Sequence, residues 1–239
     1  MLAVIGGSGF YALGKKISRE RIGTEFGDAV VHKVRVLDED VYFIPRHGEG
    51  HSIPPHRINY RANVRALMEL GASGVITVHA CGAISKYRPS DIALIEDFIG
   101  LFCPPATLFD DFSAGMRHRD FTRPFSARMQ ETLAEVAAVA GVKLKKGGIV
   151  ATTPGPRFET PAEIRALKRL GANLVSMTAA YEMTLLGEAE IDFASIAVAT
   201  NYAAGIGKTP LSGEEAVKVM KGAYGHLLAL IGGFAEEVA

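Results

Sequence analysis

The chain has no tryptophan and only two cysteines, Cys81 and Cys103, in 239 residues. Two thiols are too few for a disulfide framework or a four-thiolate zinc site. Both lie in or beside apolar runs, where a buried reduced thiol is the expected state. Neither sign of charge is in excess, because 26 Lys and Arg balance 26 Asp and Glu. Zero net charge gives no long-range attraction to nucleic acid or to an anionic membrane. No apolar run reaches the roughly 18 residues of a membrane-spanning helix. The start, MLAVIGGSGF, lacks the basic segment and long apolar core of a secretory signal. The expectation is a cytoplasmic protein with no nucleic-acid or membrane partner. A Pro-, Gly- or Ser-rich linker, an internal repeat and a low-complexity tract are missing too, so residues 1–239 are read as one domain.

What is present is an alternation of strands and helices. Leu2–Ile5 reads as a buried strand entering a glycine turn, and Val30–Val36 with Val41–Ile44 reads as a hairpin around Asp38-Glu39-Asp40. Asn59 can cap a helix that ends near Gly71. Gly74–His79 is a buried strand, followed by an expected small-residue turn over Ala80–Ala83. Asp91–Ile99, Gly148–Thr152, Asn173–Ser176 and Phe193–Ala199 are further strands. Helices are expected over Ser126–Ala140, from the capping box Thr160-Pro161-Ala162-Glu163, over Ala180–Gly187, and from Ser212 to about Ala235. Residues 100–125 lack periodicity and read as a long loop or lid. The fold class is therefore α/β, a single domain with a central mixed and largely parallel sheet flanked by helices.

In such a sheet ligands gather at the C-terminal ends of strands. Four polar or small-residue clusters fall there: Gly6–Phe10, Arg46–Asn63, His79–Ala83, and Met177–Glu182 with Asn201–Gly205. The GGSG turn with Ser8 could wrap an anion or serve only the backbone. It is neither G-x-G-x-x-G nor a P-loop, since no GK[ST] follows. Arg46-His47 offers a guanidinium fork and an imidazole, a pair suited to phosphate or carboxylate. His47, His51 and His56 lack the spacing of a zinc motif. G-x-S-x-G is absent. A nucleophilic Cys81 would need a base, and His79 two residues away on a strand would point the same way, but the small residues around it read more as a pocket floor. Phe158-Glu159, just before a capped helix, could stack on a flat ligand and accept its N–H groups, or pack in the core and face water. Asn201 could meet a heterocycle edge or form a turn.

The motifs GGSGF, PRHGEGH with PPHRINYRAN, HACGA, TTPGPRFETPAEIRALKRLGANLVSMT and ATNYAAG occur in the order found in trimeric purine nucleoside phosphorylases, which the chain resembles from residue 1 to about residue 205. The resemblance is to the branch of 5'-methylthioadenosine phosphorylase and its 6-oxopurine relatives. It implies a phosphate site of Ser8, Arg46, His47, the Ala80 backbone and Thr178. Phe158, Glu159 and Asn201 would bind the base and Met177 would lie under the ribose. His118 would cross from a neighbouring subunit of a homotrimer, with a dimer of trimers as the larger alternative. Orthophosphate is the co-substrate, and neither metal nor organic cofactor is implied. Arg46, His47 and Asn201 are the implied catalytic groups. The adenine-specific branch carries aspartates in a TDYD-like segment, whereas this chain reads Thr200-Asn201-Tyr202-Ala203. Asn201 with Glu159 implies inosine and guanosine as substrates. Gly213 and Val217 would line the 5' pocket without the histidine of true nucleoside enzymes, which makes 5'-methylthioinosine a further candidate. Three departures from the pattern are His79 in place of threonine, Ala83 in place of serine, and Tyr181, before Glu182, in place of proline, where it would reshape one wall of the pocket. The other readings are a 5'-methylthioadenosine phosphorylase, a phosphate-independent nucleosidase, and a non-catalytic purine-binding protein.

Overall fold

The structure, a computed structural model, describes every residue except Ala114, Thr209 and Ala239. Its first strand, β1 (Leu2–Gly6), is buried on both faces. An antiparallel run follows: β2 (Lys15–Thr24), β3 (Gly27–Val36) and β4 (Glu39–Pro45). Two short 3-10 turns, Glu49–His51 and Pro55–Arg57, occupy the histidine-rich stretch. Then come α1 (Tyr60–Glu69), β5 (Gly74–Ala83), β6 (Ile92–Ile99), α2 (Ala127–Val139), β7 (Leu144–Thr152) and α3 (Pro161–Arg169). The chain ends with β8 (Leu174–Ser176), α4 (Ala179–Glu188), β9 (Phe193–Tyr202) and α5 (Gly213–Val238).

The nine strands form one mixed sheet in the order β2-β3-β4-β1-β5-β8-β7-β6-β9, and β9 pairs back with β5. Five of these strands therefore close on themselves, while β2, β3, β4 and β1 extend as an open wing. Among the described residues five pairings are parallel and four antiparallel. Closure removes the free edge that β9 would otherwise expose. β2 is the outer edge of the wing; it is mostly exposed and carries five charged residues among ten, which discourages pairing with another chain.

Alternation along β1 divides the core. Leu2 and Val4 join the layer under α2 and α5 with Ile76, Leu133, Leu227 and Phe234. Ala3 and Ile5 face the other layer, with Val64, Leu67, Met183 and Leu186 of α1 and α4. A smaller cluster seats α3 through Ile164 and Leu167 against Val175 and Ala203.

Helix starts follow the local chemistry. Asn59 accepts from the Ala62 N–H at 3.1 Å, and Ser212 accepts from the Glu215 N–H at 3.1 Å. Thr160 caps α3 through a complete capping box with Glu163, and Pro161 sits where its missing N–H is not needed. Among the described residues, 100–125 carry no helix or strand. The segment is pinned to α4, because Glu188 accepts from the Leu108 N–H at 2.6 Å and from the Thr107 hydroxyl at 2.9 Å.

Two expectations change. The turn expected over Ala80–Ala83 is strand, because β5 continues to Ala83 across a bulge. Tyr181 was expected to shape the site wall through its place beside Glu182; instead it stacks on Tyr60 with centroids 4.8 Å apart and lines a separate, smaller cavity.

Replacing Thr160 with Ala should lower stability by about 1 kcal/mol and the melting temperature by roughly 2–4 °C, while Thr160→Ser should change little. Thermal unfolding of both variants checks this, and an unchanged Thr160→Ala protein would deny the cap its role.

Candidate active site

The site lies where strand pairing is interrupted. Along one edge, β5 pairs with β1 only as far as Thr77, opposite Ile5. On the same edge β8 takes over at Gly82, opposite Val175, running antiparallel. Val78–Cys81 therefore faces a gap between β1 and β8, a change of partner of the kind that opens a crevice in α/β sheets.

Arg46, which follows β4, fills the base of that gap. Its Nε donates to Oε1 of Glu182 at 2.5 Å and Nη2 donates to Oε2 at 2.9 Å. Nη2 also donates to the Ile5 carbonyl at 3.1 Å and Nη1 to the Val78 carbonyl at 2.9 Å. Both side chains are almost completely buried, at 1% and 2% exposure. Four of the five guanidinium N–H groups, the fork toward Glu182 included, are thus engaged within the protein, and one is left. Burial lifts the Glu182 carboxyl above its usual range even against the pull of Arg46.

The glycine turn is shaped by the same guanidinium. A side chain at Gly7 would collide with Nη1 of Arg46, and Gly9 has φ +74° in a turn closed by the Phe10 N–H on the Gly7 carbonyl at 2.9 Å. The glycines thus serve the backbone, and Ser8 faces a cavity.

That cavity measures about 790 Å³. It is lined by Ser8, Arg46, His47, Ala80 and Thr178, by Phe158, Glu159, Met177 and Asn201, and by Gly213 and Val217 of α5. His118 does not line it; its ring packs edge-on against Phe112, 5.7 Å away.

Consecutive residues on a regular strand point to opposite faces. Thr200 and Asn201 nonetheless both line the cavity, because β9 carries an extra residue there: Cys81 pairs with Ala199 and Gly82 with Asn201. The Thr200 hydroxyl donates to Oδ1 of Asn201 at 2.8 Å, and Nδ2 donates to the Tyr202 carbonyl at 3.0 Å. One amide N–H and one acceptor site of Asn201 stay available. Glu159 is buried and accepts from the Thr153 hydroxyl at 2.6 Å through Oε1, which leaves Oε2 for a ligand.

Sequence reasoning assigned no role to Glu182, Thr200, Tyr11 or the wall formed by His51. The only signal for Glu182 was a carboxylate one helical turn into an apolar helix. His51 stacks on His47 at 4.4 Å between centroids, and its Nδ1 lies 3.0 Å from the Tyr11 hydroxyl. Among the described residues no three His, Cys, Asp or Glu side chains are placed to hold a metal ion. Cys81 lines the cavity, but burial pushes its thiol up to about 12, so it offers no thiolate at neutral pH.

His47 has its Nδ1 2.8 Å from the Ile53 carbonyl, a pure acceptor, so Nδ1 carries the proton. Burial and the charge of Arg46 lower its pKa from 6.5 to about 4. At neutral pH the ring is uncharged and Nε2 is an acceptor. His79, fully buried, is likewise held neutral by burial and by Arg46.

Two outcomes follow. Glu182→Ala would strand a buried guanidinium and should destabilise the fold by about 3–5 kcal/mol. Urea unfolding checks this, and a loss below about 1 kcal/mol would show that the pair is not what holds the gap. The depressed His47 pKa means that the unfolded chain binds the proton first. Its contribution is complete above pH 6.5 and is lost as pH falls toward 4, by roughly 3 kcal/mol at most. His79 acts in the same direction. Urea midpoints between pH 7 and pH 4.5 should fall less steeply for His47→Gln than for the parent chain; equal slopes would contradict the burial of a neutral ring.

The comparisons with known proteins agree on one family. The model of the phosphorylase superfamily matches residues 1–236. The chain is 42% identical to a probable 6-oxopurine nucleoside phosphorylase of Moorella thermoacetica, over 92% of this chain and 86% of that protein. It is 37% identical to the 6-oxopurine nucleoside phosphorylase of Pyrococcus furiosus, over 96% and 90%. It is 44% identical to a probable S-methyl-5'-thioinosine phosphorylase of Methanopyrus kandleri, over 86% and 80%. Methylthioadenosine phosphorylase from Schistosoma mansoni, solved with adenine, superposes with a TM-score of 0.91 at 26% identity, covering 99% of this chain and 91% of that one. A glycine turn, a buried Arg46–Glu182 pair and a bulged β9 thus sit on a scaffold shared with these enzymes, and the chain belongs to the phosphorylase superfamily.

Proposed function

We propose that the chain is a purine-nucleoside phosphorylase that cleaves 6-oxopurine nucleosides to the free base and ribose-1-phosphate. The observation that carries the reading is a buried carboxylate, Glu159, and an uncharged amide, Asn201, lining one cavity. A 6-oxopurine presents an N1–H donor and an O6 acceptor. Oε2 of Glu159 can accept from N1–H. The remaining N–H of Asn201 can donate to O6, and its oxygen can accept from N7 as the leaving base gains a proton. Adenine reverses both groups at its N1 edge, and each mismatch in a closed site costs about 1–3 kcal/mol. Position 203, where the adenine-specific pattern has an acid, is the buried Ala203.

Phosphate would sit against Ser8, Thr178 and the N-terminal end of α4, a ready anion site. Arg46 would add one N–H, with much of its charge already countered by Glu182. Monohydrogen phosphate carries one O–H, and the unprotonated Nε2 of His47 can accept it. Held there, the anion attacks C1' from the side opposite the base, a bimolecular encounter made local. Charge developing on the purine is stabilised by Asn201. Met177 would support the ribose and Phe158 the base. Inversion at C1' yields the α-phosphate without a covalent enzyme intermediate. Orthophosphate is the second substrate; the reading calls for no metal or organic cofactor and places the enzyme in the cytoplasm.

The α5 side of the cavity favours a second substrate. Ala216 and Val217 give it apolar surface beside Gly213 and the exposed Glu214, and that apolar surface suits a 5'-methylthio group and thus 5'-methylthioinosine. The reading includes a homotrimer in which His118 of one subunit completes the ribose site of the next. Exposed Leu101, Phe102, Phe112 and Met116 fall in the same segment as His118 and supply apolar surface for such a contact.

Initial rates with inosine, guanosine, adenosine and the two 5'-methylthio analogues, with and without phosphate, test the reading. Hypoxanthine and guanine should be released only when phosphate is present. Release without phosphate would make the protein a nucleosidase, binding without turnover a purine-binding protein, and preference for adenosine-type substrates would overturn the base assignment. Asn201→Asp should shift the ratio of 6-amino to 6-oxo turnover upward by about tenfold or more; an unmoved ratio would remove Asn201 from the base site.

A further inference from the structure

Thr178 stands at the N-terminal end of α4 but caps nothing with its side chain. Its hydroxyl lies 3.2 Å from Nδ1 of His79 instead. On the far side of that ring, Nε2 is 3.0 Å from the Thr77 hydroxyl, which in turn contacts Ser195. A buried polar file thus runs Ser195, Thr77, His79, Thr178, and only its last member lines the cavity. The antiparallel approach of β8 to β5 brings Thr178 beside His79. The charged groups around the ring are Arg46 and Glu182, with Oε2 of Glu182 3.7 Å from Nε2, too far for a hydrogen bond. Ser176 is the other hydroxyl near Thr178, at 3.4 Å, and its oxygen already accepts the Thr178 N–H at 3.1 Å.

We propose that His79 is a positioning residue for the anion: it donates from Nδ1 to the Thr178 oxygen, accepts the Thr77 hydroxyl at Nε2, and so turns the Thr178 O–H into the cavity. A neutral imidazole donates from one nitrogen only, and each hydroxyl has one proton. Donation from Nδ1 therefore sets the direction of the whole file: Ser195 to Thr77, Thr77 to Nε2, Nδ1 to Thr178, Thr178 to the anion. The opposite tautomer would draw the Thr178 proton onto Nδ1 and present lone pairs to phosphate, which repel it. Burial and the nearby Arg46 keep the ring neutral, which makes the choice of tautomer decisive. The same arrangement accounts for a histidine where the family pattern carries threonine: it reaches Thr178 from β5 and aims it, without entering the cavity itself.

This rests on the reading of Thr178 as a phosphate donor, and phosphate-dependent turnover of the parent enzyme tests that reading separately. His79→Leu should raise the phosphate KM by about tenfold or more and leave the nucleoside KM within about twofold. His79→Asn, whose amide N–H takes the place of Nδ1–H, should recover most of the loss. The double variant His79→Leu with Thr178→Val should be no worse than Thr178→Val alone, because both remove one donor. Equal loss in His79→Leu and His79→Asn, multiplying losses in the double variant, or a nucleoside KM that moves with the phosphate KM would each overturn the proposal while turnover by the parent enzyme stands. Nitrogen-15 NMR of the phosphate-saturated parent enzyme gives a reading independent of any variant. The His79 ring should show Nδ1 protonated and Nε2 bare; an Nε2–H ring or a doubly protonated one would overturn it.

Discussion

The Arg46–Glu182 pair is the constraint around which the site is arranged. A guanidinium and a carboxylate at 1% and 2% exposure are tolerated only because nearly every donor is used, on Glu182 and on two strand carbonyls. Those carbonyls, of Ile5 and Val78, belong to β1 and β5, on either side of the place where the two strands part. Arg46 supplies the donors that a continuous sheet would have supplied. The gap can stay open without leaving strand carbonyls unpaired, and an open gap is what admits a ligand. Gly7 has no side chain for the same reason: the guanidinium lies against its backbone.

Charge at the site follows from this arrangement. Arg46 brings a positive charge that Glu182 largely offsets, and His47 and His79 are both held neutral. On the proposed reading an anion here would meet hydroxyls, a helix terminus and the neutral ring of His47, with little free cationic charge. Such donors are fixed in place before the ligand arrives, so little reorganisation accompanies binding. A neutral site also discriminates through direction: each imidazole nitrogen either donates or accepts, and a ligand whose protons are misplaced meets a lone pair where it needs a donor.

Much of this was legible in the sequence. Capping residues Asn59, Ser126, Thr160 and Ser212 stood at helix starts, and apolar stripes on Ile164, Leu167 and Leu227 marked buried faces, because these signals are local. The four polar clusters gathered at one cavity because each lies beside the end of a strand or at a bend in one. What escaped was non-local. β2 is a mostly exposed edge strand with no apolar alternation strong enough to show. The turn expected at Ala80–Ala83 turned out to be strand, since small residues mark a bulge between close-packed strands as readily as a turn. Arg46 and Glu182 are 136 residues apart, and nothing in either neighbourhood states that they meet.

The closed part of the sheet hangs the groups proposed for the base and for the anion on different strands. β9 pairs with β5 along nearly its whole length, yet the extra residue at Thr200 turns Thr200 and Asn201 together toward the cavity. β8, only three residues long, ends at Ser176 and passes at once into Met177, Thr178 and α4. The amide proposed for the base thus hangs from β9, and the hydroxyl proposed for the anion from the β8–α4 junction, with β5 as the shared support between them. Thr200 and Asn201 share no hydrogen bond with Thr178, whereas His79 on β5 lies within hydrogen-bond distance of it. The separation follows from topology, since the two groups share β5 but hang from different strands, and under the proposed reading the purine edge could be altered at Asn201 with the anion end left in place.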